Sequence, residues 1–590
     1  MNNVRIAIID SGISETSDGY KNITNFYSLK NYNNKFLIEE CEPSDKIGHG
    51  TAVSHIIWTM NNNVEIICFK ICDHELDINE EGLIFILKYI EKNITVDIIN
   101  ISLGCTYLYN YEGLKNICKK ITKKGTIIVS AFDNEGAISY PAAFEEVIGV
   151  DIKHDYCDKN EVYAFKDGIV DILVPDVYYR TKWINQNTII KGTSFANAMI
   201  SGLISQKINI KNSPYSKQAV LKLIATKYNK NLFLNALNTK QSIQINKAIL
   251  FPTNKESHAI LRYNDLLQFE LTGVYDDRLS GNVGSNLFGQ SIKSVDLIDW
   301  EDDFDTIILS CIKDLSFLTK KNYIKFFLEK AKQYGKQIYT FEKFPNQNNF
   351  DQVFYPQITP EMVPLGNHLK IHKTTLPIVS ILGTSSRQGK YTLQLELIKR
   401  LRKLGYNPGH ISTEPSGYLF GSDFVFHCGY HSDYDLEPWK GIAILNEMVW
   451  QAFLNKRDIL ITGCQSGVLH FNNSNIQYFN IDQYTFLLGI MPDICVLCIN
   501  PHDEIGYLHR TIDFINSIDN GKVIAIVVFP IRAVETLSGI AYKTEIVADI
   551  DLKKFKHYIH TELNLPVFTL GNQIDMEDLC ELIITNFSND

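Results

Sequence analysis

Short apolar runs alternate with segments of helical periodicity along most of the chain. In its first part this pattern predicts buried strands at residues 4–10, 64–71, 96–102 and 125–131. It predicts helices at residues 82–92 and 111–124, after Gly192, and at residues 216–227. Strands that alternate with helices are typical of α/β layers built on a parallel sheet, which is the fold class we expect.

The same alternation resumes after an irregular, Asn-rich stretch at residues 229–241, where we place the first domain boundary. Beyond it, an amphipathic helix is predicted at residues 322–334, and strands are predicted at residues 247–251, 269–276, 305–312 and 336–341. Residues 345–373 contain prolines and show no period, so we interpret them as a connector to a strand at residues 376–382. The sequence therefore predicts three α/β units, at residues 1–232, 243–345 and 374–590.

Composition narrows the class of protein without identifying it. Of 590 residues, 45% are hydrophobic and 21% are charged, which is ordinary for globular proteins and excludes a largely disordered chain. The chain carries 57 basic and 67 acidic side chains, and this net charge of −10 disfavours a broad nucleic-acid-binding surface. Nucleic acid is therefore not expected among its partners.

The apolar runs also bear on the location of the protein. A membrane-spanning helix needs about 18 apolar residues, whereas the longest runs, such as residues 523–530, have strand length. The N-terminus passes directly into an apolar strand and shows no signal peptide. The 12 cysteines are mostly single and lie in apolar stretches, so we expect free thiols in a reducing cytoplasm, in preference to a disulfide framework or a zinc site.

Three short motifs occur in the order Asp, His, Ser. Asp10 ends an apolar strand, His49 stands between two glycines, and Ser194 follows Gly-Thr at the predicted start of a helix. A serine hydroxyl becomes a nucleophile when a histidine accepts its proton, and that histidine needs a carboxylate that orients it and stabilises its charged form. Each motif alone is common, but the three in this order predict a serine nucleophile.

A fourth position supports the same chemistry. Asn134 follows the predicted strand at residues 125–131 and places an amide donor where an oxyanion would form. A serine at a helix start also gains from free backbone N–H groups as negative charge develops. The alternative is an α/β domain in which these residue types coincide by chance.

Together these motifs resemble those of the subtilisin-like serine peptidases over about residues 1–230. The resemblance implies a parallel-sheet α/β fold with Asp10, His49 and Ser194 as the catalytic triad. It implies Asn134 as the oxyanion donor.

Substrate-binding residues follow from the same resemblance. It implies that Ser102 to Gly104 form the strand on which an extended peptide pairs. The chain departs from the family at Asp133, where glycine is usual, and we expect this carboxylate on the pocket wall to favour a basic residue before the scissile bond. It also departs after the serine, where Phe195 begins a segment without the usual proline and histidine. Since no propeptide precedes the first motif, we expect an intracellular processing peptidase.

A second constellation lies between the predicted strand at residues 376–382 and the helix that follows it. Gly383 and Gly389 bound a loop that ends in Lys390, a pattern that presents backbone N–H groups and an ammonium to a phosphate. Thr384 and Thr392 lie in this loop and in the helix start, and we place both among the nucleotide-binding residues. The spacing differs from the standard P-loop, so a plain strand-to-helix turn is the alternative.

This loop resembles that of dethiobiotin synthetase-type NTPases and, more closely, that of a family catalogued as a domain of unknown function, which includes a bacterial D-glutamate N-acetyltransferase. The resemblance spans about residues 243–590 and implies a small Rossmann-like domain ahead of a P-loop domain. It implies ATP, another nucleotide or acetyl-CoA as ligand, with Mg²⁺. Relatives carry Glu-Gly where this chain has Thr462 and Gly463, so a metal-supporting carboxylate is missing unless Asp423 replaces it. Binding is better supported than turnover.

Two histidines in the third unit have the spacing of metal ligands. His427 and His431 lie one helical turn apart, with acidic and aromatic neighbours and no third ligand. We therefore interpret them as surface or site-lining residues and expect no metal centre of protein ligands.

Three functions remain open from the sequence. The first is a cytoplasmic serine endopeptidase that processes a peptide or precursor peptide without a cofactor, fused to a nucleotide- or acyl-CoA-binding module that modifies the same substrate. The second makes the C-terminal half the main enzyme, an acyltransferase or an ATP-dependent ligase acting on amino acids or peptides. The third is a protease regulated by the ligand of the P-loop.

Overall fold

The computed structural model describes residues 3–15, 21–33, 35–72, 79–153, 161–209, 214–229, 237, 243–345, 352–429, 432–471, 474, 479–518, 521–535 and 542–588. It divides into two units, Met1–Asn235 with Pro364–Thr375, and Ala236–Val363 with Leu376–Asp590. Both units are α/β structures built on mainly parallel sheets, so the predicted fold class is confirmed. The boundary at residues 229–241 lies largely outside the described residues, and the three domain ranges stay predictions.

The described part of the first unit contains twelve strands. They are β1 (Val4–Asp10), β2 (Ile23–Tyr32), β3 (Lys35–Glu40), β4 (Val64–Lys70), β5 (Ile98–Ile101), β6 (Ile127–Ala131), β7 (Ile148–Lys153), β8 (Tyr163–Phe165), β9 (Ile172–Pro175), β10 (Tyr179–Trp183), β11 (Gln186–Ile190) and β12 (Lys227–Asn229). Strands β10 and β11 form a separate antiparallel hairpin. The others form one sheet in the order β12-β8-β9-β7-β6-β5-β1-β4-β2-β3, in which β8–β9 and β2–β3 are the antiparallel pairs.

Helices cover both faces of this sheet. They are α1 (His49–Met60), α2 (Glu80–Asn93), α3 (Tyr111–Lys123), α4 (Thr193–Lys207) and α5 (Lys217–Ile224). The sequence pattern predicts four of these helices but not α1. Eight of the first nine residues of α1 are buried, so no polar face marks its period. A helix that is buried on all sides lacks the amphipathic signal on which the sequence analysis relies.

The middle of the sheet fixes where chemistry can occur. Strand β1 pairs in parallel with β4 on one side and with β5 on the other, and every residue of β1 except Arg5 is buried. Parallel strands end at the same edge of a sheet, which is where open α/β sheets bind their ligands. Asp10, the last residue of β1, lies at this edge.

The second unit begins with a smaller sheet. Its strands are β13 (Lys247–Phe251), β14 (Glu270–Asp276), β15 (Asn286–Leu287), β16 (Gln290–Ser294), β17 (Thr306–Leu309), β18 (Gln337–Thr340) and β19 (Val353–Phe354), in the order β15-β16-β14-β13-β17-β18-β19. The helices that go with them are α6 (His258–Arg262), α7 (Lys313–Thr319) and α8 (Tyr323–Tyr334). The parallel pairing of β13, β14 and β17 agrees with the Rossmann-like expectation for this segment.

A second sheet of seven parallel strands follows in the same unit. The remaining strands are β20 (Ile378–Gly383), β21 (Pro408–Ser412), β22 (Phe424–Val425), β23 (Ile459–Gly463), β24 (Ile494–Ile499), β25 (Lys522–Val528), β26 (Ile531–Glu535), β27 (Tyr542–Ile546) and β28 (Val567–Thr569). Strands β26 and β27 pair with each other, and the rest form the order β22-β21-β23-β20-β24-β25-β28. The helices are α9 (Lys390–Lys403), α10 (Pro438–Leu454), α11 (Ile481–Ile490), α12 (Ile505–Asn516), α13 (Asp549–Leu563) and α14 (Gln573–Phe587).

The interpretation of residues 345–373 as a simple connector is wrong in part. Val353 and Phe354 form the edge strand β19, and residues Pro364–Thr375, which we name the strap, belong to the first unit. The N–H of Ile138 donates to the carbonyl oxygen of Ile371 at 2.9 Å. The Thr375 hydroxyl donates to the carbonyl oxygen of Leu108 at 3.1 Å. These contacts are long-range and aperiodic, so the sequence pattern does not reveal them.

The described helices were compared with the length and apolarity that a bilayer requires. None of the helices in this part of the chain is long and apolar enough to cross a membrane.

Candidate active site

Two of the predicted catalytic residues are in direct contact. Asp10 ends β1 and His49 begins α1, and His49 Nδ1 and Asp10 Oδ1 share a hydrogen bond of 2.8 Å. Both side chains are buried, with exposures of 0% for Asp10 and 6% for His49. The carboxylate thereby fixes the orientation of the imidazole and leaves Nε2 for a reacting proton.

Glycines allow helix α1 to approach this close to β1. A Cβ atom on Gly50 would lie 2.2 Å from the carbonyl oxygen of Gly12 and 3.0 Å from the Asp10 side chain. A Cβ atom on Gly48, whose φ is +99°, would overlap the indole of Trp183. The glycines on both sides of His49 therefore have a steric reason.

A second buried carboxylate, Asp45, organises the loop before His49. Its Oδ1 accepts from Gly48 N at 2.8 Å and from the Ser11 hydroxyl at 3.0 Å, and its Oδ2 accepts from Thr51 N at 3.0 Å. The sequence analysis missed this residue. The signal that could have found it is an acid four positions before the histidine.

The surroundings of His49 favour its charged form. Burial alone would lower the pKa of His49, but the charge of Asp10, the hydrogen bond to Asp10 and the charge of Asp45 outweigh it and raise the pKa above its ordinary value. A histidine that accepts the proton of a nucleophile must stabilise the resulting imidazolium. The raised pKa of His49 agrees with this requirement.

Ser194 is the second residue of α4 and lies 7% exposed. Its hydroxyl donates to the carbonyl oxygen of Ser102 at 2.9 Å, so in this state the proton is held by Ser102 and not by His49. Gly192 precedes the helix with φ of +140°, a conformation that favours glycine, and a Cβ atom there would lie 3.2 Å from Asn134 Oδ1. The phenyl ring of Phe195 lies against the His49 imidazole, with 5.3 Å between ring centres.

An asparagine fixes α4 at the point where this chain departs from the family pattern. Asn197 Nδ2 donates to Asn100 Oδ1 at 3.0 Å, and the Ser201 hydroxyl donates to the same oxygen at 2.8 Å. Asn100 belongs to β5 and donates to the Ser102 hydroxyl at 3.0 Å. These buried hydrogen bonds tie the serine helix to the strand that precedes Ser102, so the departure leaves the nucleophile well supported.

The amide of Asn134 has a defined orientation. Its Oδ1 accepts from Thr193 N at 3.0 Å, while the Thr193 hydroxyl donates to the carbonyl oxygen of Phe132 at 2.7 Å. Because Oδ1 is used in this way, Nδ2 remains as the donor beside Ser194. An amide donor at this place suits the oxyanion of an acyl-transfer intermediate.

Replacing Asn134 by alanine is expected to lower the turnover of a peptide substrate by roughly 10²–10³-fold, the usual effect of losing one oxyanion donor. The Michaelis constant should change much less, because the lost hydrogen bond strengthens only as the oxyanion forms. Steady-state kinetics on the full chain measure both quantities. Unchanged turnover would show that Asn134 has no part in the reaction.

The three predicted substrate-binding residues have different environments. Ser102 and Gly104 follow β5, and the Ser102 hydroxyl donates to the carbonyl oxygen of Ser194 at 3.1 Å. Asp133 is half-buried, and its Oδ2 accepts from Glu135 N at 2.9 Å and from Ala137 N at 3.4 Å. The carboxylate of Asp133 thus braces its own loop through Oδ2, and its place on the pocket wall stays a prediction.

Trp183 is a further residue that the sequence analysis missed. It ends β10, in the hairpin that precedes Ser194, and its ring lies edge-on to the His49 imidazole with 6.3 Å between centres. The same hairpin contacts α1 through the Thr181 hydroxyl, which donates to the carbonyl oxygen of Ala52 at 3.1 Å. The sequence around Trp183 contains no motif that marks a functional residue.

The predicted phosphate loop is present between β20 and α9. Gly383 ends the strand and Gly389, with φ of +72°, precedes the helix; a Cβ atom on Gly389 would lie 2.3 Å from Leu570. Gln388 is buried, and its Oε1 accepts from Thr384 N and from Ser385 N, both at 3.0 Å. This side chain braces the start of the loop.

Lys390 is the first residue of α9 and is 7% exposed. Its ammonium donates to the carbonyl oxygen of Ser385 at 2.6 Å. Burial lowers the pKa of Lys390, and Cys464, Cys498 and Glu414 partly offset that effect. A buried ammonium at the mouth of a glycine-bounded loop fits a phosphate group.

The groups that would hold Mg²⁺ in this loop are poorly placed. Tyr391 follows Lys390 and is half-buried, and its ring is packed nearly parallel to that of His410. The Thr462 hydroxyl is fully buried and shares a hydrogen bond of 2.7 Å with the Ser380 hydroxyl. Thr392 lies in the first turn of α9, and its carbonyl oxygen accepts from the Tyr263 hydroxyl at 3.4 Å.

Asp423 does not replace the missing carboxylate. Its Oδ1 accepts from Arg457 Nε at 3.1 Å, and its Oδ2 accepts from His410 N of β21 at 2.9 Å. Both carboxylate oxygens are therefore engaged near the edge of the sheet. Glu414, which the sequence analysis did not single out, is electrostatically coupled to Lys390 instead. Burial, together with the charge of Glu256, raises the pKa of Glu414 to about 7, although Lys390 and Lys255 act in the opposite direction.

The histidine pair is only partly described. His427 is buried, and its ring lies 5.7 Å from that of Tyr355, which contradicts a surface position. His431 lies outside the described residues. Among the residues whose placement is given, no group of three His, Cys, Asp or Glu side chains could hold a metal ion.

Comparisons with family models agree with a peptidase-like site in the first unit and a phosphate loop in the second. Residues 1–243 match the model of the Subtilase family, and residues 367–579 match that of the P-loop domain described as "Domain of unknown function (DUF1611_C)". The chain is 30% identical to the minor extracellular protease Epr of Bacillus subtilis over 201 residues, which are 31% of this chain and 28% of that protein. It is 26% identical to an alkaline protease of Alkalihalobacillus alcalophilus over 219 residues, which are 35% of this chain and 54% of that protein. The chain therefore spans about half or less of these two relatives.

A solved structure of a DUF1611 family protein from Anabaena variabilis is also similar. It has 15% sequence identity and a TM-score of 0.39, and the match covers 58% of this chain and 100% of that one. The family models alone assign residues 1–243 to the Subtilase family and residues 367–579 to the DUF1611 P-loop domain.

Proposed function

We propose that the chain is a serine endopeptidase that processes a peptide or precursor peptide in the cytoplasm. The observation that carries this proposal is the buried 2.8 Å hydrogen bond between His49 and Asp10, at a site that also contains Ser194 and Asn134. The buried thiols of Cys68, Cys118, Cys495 and Cys498 are free, which suits a reducing compartment.

The residues have the following roles in the proposed reaction. An extended peptide pairs with Ser102 to Gly104, and a substrate N–H takes the carbonyl oxygen of Ser102 that now accepts from Ser194. The released hydroxyl turns to His49, which accepts its proton as the oxygen attacks the scissile carbonyl carbon. Asn134 donates to the oxyanion, and His49 then returns the proton to the leaving amine.

The experiment that tests this proposal is labelling of the full chain with a fluorophosphonate, followed by mass spectrometry of the modified peptide. The adduct is expected on Ser194, because only an activated serine displaces the fluoride. Peptide cleavage should be lost in proportion to labelling. A folded chain that neither reacts nor cleaves would refute the endopeptidase proposal.

We infer for the C-terminal half that it binds a phosphate-bearing ligand, a nucleotide or an acyl-CoA. The support is the buried ammonium of Lys390 beside the loop, in which the backbone at residue 389 has room only for glycine. Slow hydrolysis of a nucleoside triphosphate is expected, since Tyr391 and Thr462 are unsuited to hold the Mg²⁺ that neutralises charge on a transferring phosphoryl group. When bound, such a ligand would supply an activated phosphoryl or acyl group for modification of the same peptide.

Replacing Lys390 by alanine is expected to weaken binding of this ligand by more than about tenfold, or about 1.4 kcal/mol, because a charge-assisted hydrogen bond to phosphate is lost. Calorimetry with ATP, GTP and acetyl-CoA on the full chain measures the change. Lys399→Ala is the matched control, since Lys399 lies on the same helix but half-exposed and paired with Asp265.

The outcomes of that titration separate the alternatives. Binding of acetyl-CoA alone favours an acyltransferase, and binding of ATP favours a ligase or a regulatory ligand. Absence of binding by all three would leave the C-terminal half as a scaffold for the peptidase. Rapid ATP hydrolysis would show that another carboxylate, such as Glu414, supports the metal.

A further inference from the structure

The space between the segments of Gly104 and Asp133, which we name the cleft, contains the side chain of Ser139. It is fully buried, and its hydroxyl accepts from Asp133 N at 2.9 Å. A Cβ atom on Gly104 would lie 3.1 Å from the Ser139 hydroxyl and 3.2 Å from its Cβ atom. Ser139 therefore reaches from the segment of Gly104 to the segment of Asp133 and fills the space between them.

In the proposed reaction, this space receives the side chain of the residue before the scissile bond. An extended substrate pairs with Ser102 to Gly104 on one side. Its scissile carbonyl points to Asn134 on the other side, at the end of the segment that contains Asp133. The α-carbon before that carbonyl thus lies between the two segments, with its side chain directed at Ser139.

The backbone holds Ser139 firmly in this place. Cys105 N donates to the carbonyl oxygen of Tyr140 and Tyr140 N donates to that of Cys105, both at 2.9 Å. This pair of hydrogen bonds ties the residue after Gly104 to the residue after Ser139. The two segments cannot separate to admit a large side chain unless both hydrogen bonds break.

The strap supports the same segment from another direction. Ile138 N donates to the carbonyl oxygen of Ile371, and the Tyr140 hydroxyl shares a 3.2 Å hydrogen bond with His372 Nδ1. Lys370 forms an ion pair of 3.0 Å with Asp151, in which both side chains are about nine-tenths buried. The residues on both sides of Ser139 are thereby attached to the strap.

We propose that Ser139 determines the specificity of the peptidase and restricts the residue before the scissile bond to glycine, with alanine tolerated less well. Tyr140 and the strap act as positioning residues that keep Ser139 in the cleft. The inference rests on the proposed endopeptidase function. It replaces the preference for a basic residue that Asp133 alone suggested.

The test uses peptidyl diphenyl phosphonates of the form acyl-Ala-Ala-Xaa, in which Xaa is the analogue of glycine, alanine, leucine or phenylalanine. Ser194 Oγ bonds to phosphorus and phenol leaves, so the rate of labelling of the full chain reports the fit of Xaa. The glycine analogue is expected to react at least 20-fold faster than the leucine or phenylalanine analogue. Equal rates would overturn the inference.

The variant Ser139→Gly removes the side chain that fills the cleft. The ratio of the leucine rate to the glycine rate is expected to rise at least tenfold, whereas Ser139→Ala, which keeps the Cβ atom, should raise it less. Ser205→Ala, three helical turns along α4 from Ser194, is the control and should leave the ratio unchanged. An unchanged ratio in Ser139→Gly, with an unaltered melting temperature, would contradict the assignment.

Tyr140→Phe tests the positioning role, because it removes the hydroxyl that bonds to His372. The ratio of leucine to glycine rates is expected to rise several-fold, and this ratio does not depend on the folded fraction. In the Ser139→Gly background the same change should add nothing, since there is no side chain left to position. A purely structural role of Tyr140 would lower both rates equally.

Failure of this inference is distinguishable from failure of the proposed function. If a simple fluorophosphonate labels Ser194 but the glycine analogue does not, the specificity assignment is wrong and the endopeptidase proposal stands. If neither reagent labels the folded chain, both are wrong.

Discussion

Replacing Ser194 by alanine is expected to lower peptide hydrolysis by about 10⁶-fold, a magnitude carried over from removal of the same group in subtilisin, and to abolish fluorophosphonate labelling. The reason is that the hydroxyl forms the bond to the scissile carbon. Neither His49 nor Asn134 can replace the hydroxyl, because His49 accepts a proton and Asn134 donates to the oxyanion, and neither forms a bond to the scissile carbon. Quantitative cleavage of a fluorogenic peptide by the purified full chain measures the effect.

Ser205→Ala is the matched control for this variant. Ser205 lies on the same helix as Ser194 and is equally buried, and its hydroxyl donates to the carbonyl oxygen of Gly202 at 2.6 Å. Its loss should leave hydrolysis and labelling near their original values. Residual cleavage by Ser194→Ala at a tenth of the original rate or more would show that another residue is the nucleophile.

Replacing Asp10 by asparagine is expected to lower kcat/KM by about 10⁴-fold, because the amide stabilises the wrong tautomer of His49. A second effect follows from the pKa of His49. Activity requires neutral His49, so it falls as the pH drops through that pKa, which Asp10 raises above its ordinary value. Without the carboxylate charge, the effect of burial is opposed much less and the acidic limb of the pH profile should move to lower pH.

The pH dependence of kcat/KM in both proteins measures this shift. Glu65→Gln serves as the control, since Glu65 is 38% exposed and pairs with Arg5 at the surface. That variant removes one negative charge from the same unit without contact to His49, so its profile should match the original. An acidic limb that stays in place in Asp10→Asn would mean that another group sets it.

The triad could be predicted from sequence because each of its members lies at the junction of a regular element with a glycine-rich turn. Asp10 ends a buried strand, and His49 and Ser194 begin helices, so local patterns mark all three. The three residues can meet because the carboxyl end of β1 and the starts of α1 and α4 lie at the same edge of the parallel sheet. Asp45 was missed because its sequence signal, a position four residues before His49, does not by itself distinguish a brace from a surface acid.

Side-chain orientation is what the sequence could not provide. Asp133 departs from the family pattern, which suggests a pocket wall, yet two backbone N–H groups of its own loop capture its carboxylate. Ser139 lies in an ordinary turn and becomes important only through its proximity to Gly104. Both outcomes depend on distances across segments that are far apart along the chain.

The phosphate loop was predictable to a similar extent. Gly389 and Lys390 occupy the places that their spacing indicates, and Thr462 is as unsuited to a metal as its side chain suggested. Asp423, which the sequence left open as a substitute for the missing carboxylate, pairs with Arg457 instead. Glu414 could not be found from sequence, since its altered pKa results from burial and from the nearby Glu256 and Lys390.

The place of the strap in the sequence bears on when selective proteolysis can begin during synthesis on the ribosome. Lys370 to His372 support the segment around Ser139, but they are made only after the whole of Ala236–Val363. At roughly 5–20 residues per second, that interval is on the order of ten seconds. Throughout it, the nascent chain holds its triad residues without the support that shapes the cleft. Selective cleavage by the proposed peptidase is therefore expected to begin only after Ala236–Val363 and the strap have been synthesised.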